Sequence, residues 1–181
     1  RSIMFLAVTA EEKGLLGADY FANNPTVPLN SIVANVNLDM PVLLYDFADV
    51  IAFGASHSTL GETVSKAAAK FNIEQSPDPM PEQAIFTRSD HYTLVKKGIP
   101  AVFLMTGFTS RTEGEDGGEV WGKFFAENYH RPSDDLHNLE VNYESATRFT
   151  DINYEIGKEI ANDPQRPHWL KDSYFGKQFK D

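Results

Sequence analysis

Ser2-Ile-Met-Phe-Leu-Ala-Val-Thr-Ala-Glu11-Glu12-Lys-Gly-Leu-Leu-Gly17 stands at the head of the chain: an apolar run rich in strand formers that ends in two adjacent carboxylates and a glycine. An apolar run of this length, closed by charge and followed by a helix-like stretch over residues 15–23, predicts a buried strand feeding a helix. In open α/β sheets, ligands bind at the carboxyl ends of strands. Two neighbouring acids there oppose each other's ionisation and raise one pKa. A metal ion resolves that conflict by binding one carboxylate and leaving the other free to accept a proton. The plainer alternative is two solvated acids in the first turn of a helix, where the dipole favours negative charge.

The same grammar recurs downstream. Residues 31–39 read as a second strand, apolar with small polar interruptions, that finishes in Asp39 before Met40-Pro41. A shorter strand is expected at 49–54, then a helix over 59–71 with Leu60, Val64, Ala67, Ala68 and Phe71 as its buried stripe. Pro77, Pro79 and Pro81 mark an extended loop. Ser89-Asp90-His91 opens a short helix that Gly98 ends, and 99–105 is another buried strand. Residues 106–128 read as a long irregular insertion, the kind that is usually functional or a lid. A polar turn follows at 129–135, then the longest helix at 142–161, with Phe149, Ile152, Ile156 and Ile160 on one face. From Pro164 the chain turns aromatic and basic and reads as an arm. Strands alternating with helices predict a three-layer α/β/α sandwich around a mostly parallel sheet. The expected division is a catalytic portion at 1–163 and an arm at 164–181 that packs on the domain or a neighbour.

The chain's 181 residues suit one domain, since domains run about 100 to 200 residues. A hydrophobic fraction of 41% with 12% aromatics is globular composition. The net charge of −10 argues against a nucleic-acid partner or an anionic membrane surface, because both recruit clustered Lys and Arg. Acidity suits cationic substrates such as free amino termini, although solubility alone also explains it. With no cysteine, any metal must be held by His and carboxylate, and neither a disulfide scaffold nor a thiolate site is available. No apolar run approaches the roughly 20 residues of a membrane span. The chain begins with Arg1 and goes directly into a buried-looking strand, which leads one to expect a piece of a longer protein.

A hydrolytic zinc site without cysteine needs His and Asp/Glu ligands, an open position and a nearby carboxylate base. The candidates are Glu11, Glu12, Asp39 and His130, each at a strand end or in a loop. Taken singly, a strand-end Asp reads equally as a turn residue and a His before Arg-Pro as a surface histidine. Taken together, Thr9-Ala-Glu-Glu-Lys-Gly-Leu-Leu-Gly17, Asn37-Leu-Asp-Met40, Ser89-Asp-His91 with Lys97-Gly-Ile-Pro-Ala101, and Tyr129-His-Arg-Pro-Ser-Asp134 resemble the zinc-dependent M28 metallopeptidases, across most of the chain. That group includes co-catalytic aminopeptidases and glutamate carboxypeptidase, with glutaminyl cyclase as a structural cousin.

The resemblance implies the zinc-exopeptidase, phosphorylase/hydrolase-like fold, two zinc ions and a peptide substrate. It implies Glu11 as general base, Glu12 and His130 as ligands of one zinc, and Asp39 as a ligand of the second. Asp134 then serves as an acceptor for a ligand or as a helix N-cap, with the cap favoured. Ser89, Asp90 and His91 cannot form a catalytic triad, because three consecutive residues opening a helix cannot converge on one another. Asp90 and His91 are instead expected to cap the helix and shape the pocket wall.

The family also uses an upstream His-x-Asp and a bridging Asp, for which this chain has no counterpart before Glu11. The site carried here is therefore expected to be partial, with weak zinc binding and no turnover by these residues alone. The exposed edge of so small a sheet predicts either a second copy of the chain or the upstream half of the same protein as its cover. Family members often carry a tyrosine shortly before Ser-Asp-His, where Phe86 offers no hydroxyl. Two further readings stay open at this point: single-zinc glutaminyl cyclase chemistry, and a non-catalytic binding descendant. The family is frequently secreted or periplasmic, and that location is the corresponding expectation.

Overall fold

Strand β4 (Ala101–Thr106) is buried at every residue and organises the sheet of the computed structural model, which describes residues 1–179. It pairs in parallel with β1 (Asn35–Asn37) on one side and antiparallel with β2 (Asp49–Phe53) on the other. Strand β3 (Glu74–Ser76) adds in parallel to β2, so the order is β1-β4-β2-β3. β2 is also buried throughout. A strand buried at both alternations is covered on both faces, which requires helices on each side and makes this an α/β/α sandwich with a mixed, mostly parallel sheet.

Helix α1 (Leu16–Asn23) packs on α3 (His91–Val95), where Phe21, Ala22, Leu94 and Ile99 make a small separate cluster. Helix α2 (Leu60–Ala69) packs on α5 (Tyr143–Asn162), and their apolar stripes join the main core. In α2 the buried positions are Leu60, Val64, Ala67 and Ala68, at the expected helical spacing. In α5 they include Phe149, Ile152, Ile156 and Ile160, and the Asn142 side chain caps the helix by accepting from the Ser145 N–H. Across this interface Lys70 donates to both Glu155 and Glu159.

Three expectations need correction. Residues 2–8 form no strand: no backbone hydrogen bond joins them to a strand among the described residues, and Phe5 is 96% exposed. Apolar character marks a segment for burial, but a strand exists only as a ladder, and β1 pairs only with β4. The second strand is shorter than residues 31–39, because only Asn35–Asn37 meets β4. The supposed irregular insertion contains a helix, α4 (Gly117–Glu127), started by the Asp116 side chain accepting from the Gly118 and Glu119 N–H groups.

The terminal residues from Pro164 lie along the domain, and those at 180–181 fall outside the described residues. Trp169 donates its indole N–H to the Gly98 carbonyl, and Phe175 of helix α6 (Tyr174–Gln178) packs on His57 and Phe86. No helix among the described residues is long and apolar enough to cross a membrane.

Because Ile156 is fully buried where α5 meets the core, Ile156→Ala is expected to cost about 2–5 kcal/mol in denaturant unfolding. Tyr154, on the outer face of the same helix and 62% exposed, is expected to tolerate Ala within about 0.5 kcal/mol.

Candidate active site

Glu11 and Glu12 sit in a single 3₁₀ turn (Glu11–Lys13) between two left-handed residues, Ala10 at φ 58° and Gly14 at φ 100°. The motif's two glycines have distinct reasons. Gly14 supplies the positive φ that closes the turn, with its N–H donating to the Glu11 carbonyl. Gly17 lets α1 start against the preceding segment, because a Cβ there would stand 2.5 Å from the Thr9 carbonyl oxygen. The chain is thereby folded back on itself, and the two carboxylates project from its bend.

Asp39 follows β1 and is succeeded by Met40, also left-handed at φ 41°. Its carboxylate accepts from the Ser89 hydroxyl at 2.6 Å, and Ser89 in turn accepts from the Asn37 side-chain amide at 2.8 Å. Ser89 is 2% exposed, so this relay is shielded and fixes the carboxylate's direction. The sequence reading discarded Ser89 as a nucleophile and gave it no other part. Only the pairing of β1 with β4 brings α3's leading loop beside the end of β1.

His130 approaches from the turn after α4, itself in a left-handed conformation at φ 58°. Its Nε2 donates to Glu12 Oε1 at 2.6 Å, and both side chains are more than half exposed. Its ring stacks on Tyr129, with centroids 3.8 Å apart and planes inclined by 22°. Three of the six non-glycine residues with positive φ among the described residues, Ala10, Met40 and His130, are therefore site residues or their immediate neighbours. Such conformations cost on the order of 1–3 kcal/mol each and persist where the surroundings hold them.

Glu11 is half-buried, and its pKa is raised by burial first, then by Glu12, Asp39 and Asp90, with His130 acting in the opposite sense. Burial and then Asp39 raise Asp90 as well. Tyr129 is raised by burial and by the same acids Glu12, Asp39 and Glu11, while Arg88 lowers it. The same acids act on Glu11, Asp90 and Tyr129, so these groups lie within electrostatic reach of one another. Tyr129 was quoted in the sequence reading only as a flank of His130.

Other expected residues stand elsewhere. His91 is buried at 1% exposure inside a ring of Phe86 and Phe103, with Nε2 donating to the Phe86 carbonyl at 2.7 Å, so it belongs to the core and not to a pocket wall. The Asp90 side chain caps nothing in α3, and its buried Oδ1 has no partner among the described residues. Asp134 is exposed in the turn and begins no helix, since α5 starts only at Tyr143. The cap assigned to each acid from sequence is therefore corrected.

Nitrogen and oxygen donors alone make up the site, as a zinc centre without cysteine requires. Glu12 and His130 are hydrogen-bonded to each other at 2.6 Å, closer than the roughly 3.3 Å that two ligands of one tetrahedral zinc ion keep. Among the described residues, however, no group of three His, Cys, Asp or Glu stands close enough together to hold a metal ion. The donor types fit zinc, and the ligand number falls short of a full set.

Fold and rim together define an α/β/α protein with acidic side chains and a histidine gathered at one edge of its sheet. The chain belongs to Peptidase family M28, whose sequence profile matches residues 1–156. It is 29% identical to a probable leucine aminopeptidase 2 of Aspergillus oryzae over 91% of this chain, and 30% identical to leucine aminopeptidase 2 of Trichophyton rubrum over 76% of it. It spans 35% and 30% of the lengths of those relatives. The fold is similar to that of an aminopeptidase from Aneurinibacillus sp. strain AM-1, with a TM-score of 0.57 and 21% identity, covering 88% of this chain and 33% of that one.

The buried His91 gives the domain a pH signature. Burial holds its pKa down at about 4, against about 6.5 for an exposed histidine. The unfolded chain therefore binds a proton that the native state refuses, so stability is full above about pH 6.5 and declines as pH falls toward 4, by about 3 kcal/mol in all. His57, lowered by burial, adds to the same slope. Denaturant titrations at stepped pH should show this decline, and His91→Gln, which keeps an N–H for the Phe86 carbonyl, should flatten it.

Proposed function

We propose that this chain carries the general base and part of the metal ligation of a zinc-dependent exopeptidase that acts at the amino terminus of peptides. The observation that supports the reading best is the 2.6 Å approach of His130 to Glu12 with Glu11 in the same turn, because these residues are distant in sequence and have no structural need of one another. Glu12 and His130 would hold one zinc ion and Asp39, aimed by Ser89, would hold a second. Zinc bound there supplies Lewis acidity toward a carbonyl and toward water.

Glu11 has the part of proton carrier. Burial and the neighbouring acids make its carboxylate a better base than a free glutamate, and the turn holds it at the rim without committing it to a hydrogen bond among the described residues. It takes the proton of the attacking water and returns it to the departing amine, so one side chain serves both halves of the hydrolysis. The ring of carboxylates favours a cationic α-amino group over a neutral or anionic end. The names of the relatives make leucine a sensible first side chain to offer.

Glu11→Gln, made in the full-length gene product, is the direct test. Turnover of leucine p-nitroanilide is expected to fall by at least about 100-fold, the scale of a lost general base, while zinc content stays at the wild-type level. Wild-type turnover from the Gln variant would remove Glu11 from the mechanism.

A further inference from the structure

Helix α4 carries Trp121 and Phe125 four residues apart, and Tyr129 continues the interval just beyond its end. Side chains so spaced lie on one face of a helix. Here they form a continuous aromatic series: Trp121 to Phe125 at 5.6 Å between centroids, Phe125 to Tyr129 at 4.8 Å edge to face, and Tyr129 to His130 at 3.8 Å stacked. The far end is fixed. Trp121 is 2% exposed, donates its indole N–H to the Tyr45 and Thr106 hydroxyl oxygens, and packs on Phe108. Thr106 is the last residue of β4, so the series runs from the centre of the sheet to the histidine at the rim.

From this we infer that Phe125 is a positioning residue: it holds Tyr129 in place, and Tyr129 in turn orients the His130 imidazole toward Glu12. The exposure of His130 makes such support necessary. Its backbone is strapped to the end of α4, where the Asn128 side chain donates to the Ser133 carbonyl and the Ser133 hydroxyl donates to the Glu127 carbonyl. Those bonds fix the turn but leave the side-chain torsions of His130 free. The face of the ring meets Tyr129 alone among the described aromatic residues, and Tyr129 is braced by Phe124 at 6.0 Å and by Phe125. Phe125 is itself 37% exposed, so its truncation should cost less stability than that of the fully buried Ile156.

The inference rests on the zinc-peptidase reading for its consequence, though its geometry does not depend on that reading. Phe125→Ala and Phe125→Tyr should be compared in the full-length gene product, with Ile156→Ala as a destabilised control remote from the rim. In metal-free protein, NMR should show the His130 ring protons shifted upfield by the Tyr129 face. In Phe125→Ala these signals should move toward random-coil positions, and zinc affinity by chelator competition should fall about 10- to 100-fold, the range for a lost ligand-orienting partner. Phe125→Tyr should preserve both.

Unchanged His130 signals in Phe125→Ala would overturn the inference, and so would equal changes in Ile156→Ala. Wild-type protein that binds no zinc, but whose His130 signals still respond to Phe125, would refute the peptidase reading and leave the positioning role standing.

Discussion

The left-handed bends that carry Glu11, Asp39 and His130 toward one edge of the sheet are the constraint on which the rest of the structure depends. Burial first, and then Glu12, Asp39 and Asp90, raise the free energy of ionised Glu11. Here three separate segments are bent, through left-handed residues at Ala10, Met40 and His130, to bring them together. Backbone strain and charge repulsion are costs of the same sign.

The scaffold makes that convergence reproducible. β4 is buried along its whole length and locks β1 on one side, which carries Asp39, and β2 on the other. The loop leading into α3 delivers Ser89 to Asp39, and α4, anchored through Trp121 to the end of β4, delivers His130. Only the Glu11–Glu12 turn reaches the rim without a strand of the described sheet behind it; the contact from Gly17 to Thr9 folds it onto α1.

Much of the fold was legible because its elements state themselves locally. The stripes of α2 and α5 and the apolar runs of β2 and β4 need only their own residues to be read. β3 was missed because Glu74-Gln-Ser76 is a polar edge strand defined by its partner and not by composition. α4 was missed because the acidic and glycine-rich lead to it resembles a loop, although Asp116 three residues before Glu119, followed by Val120, Trp121, Phe124 and Phe125, was an available signal. Residues 2–8 differ for the opposite reason: their apolar composition suits a strand, and no partner strand among the described residues completes a ladder with them. At the site, Glu11, Glu12, Asp39 and His130 were named through a family resemblance, since nothing local links Glu12 to His130. Ser89 and Phe125 could not be found that way, because their parts arise only from what the fold sets beside them.

The central claim is that Glu12 and His130 grip one divalent cation at a shared rim. An anomalous difference map at the zinc edge, from crystals of the full-length gene product loaded with zinc, tests it most directly. A peak within bonding distance of both His130 Nε2 and a Glu12 carboxylate oxygen is the expected result. A zinc-loaded protein whose peaks all lie away from this pair would contradict it.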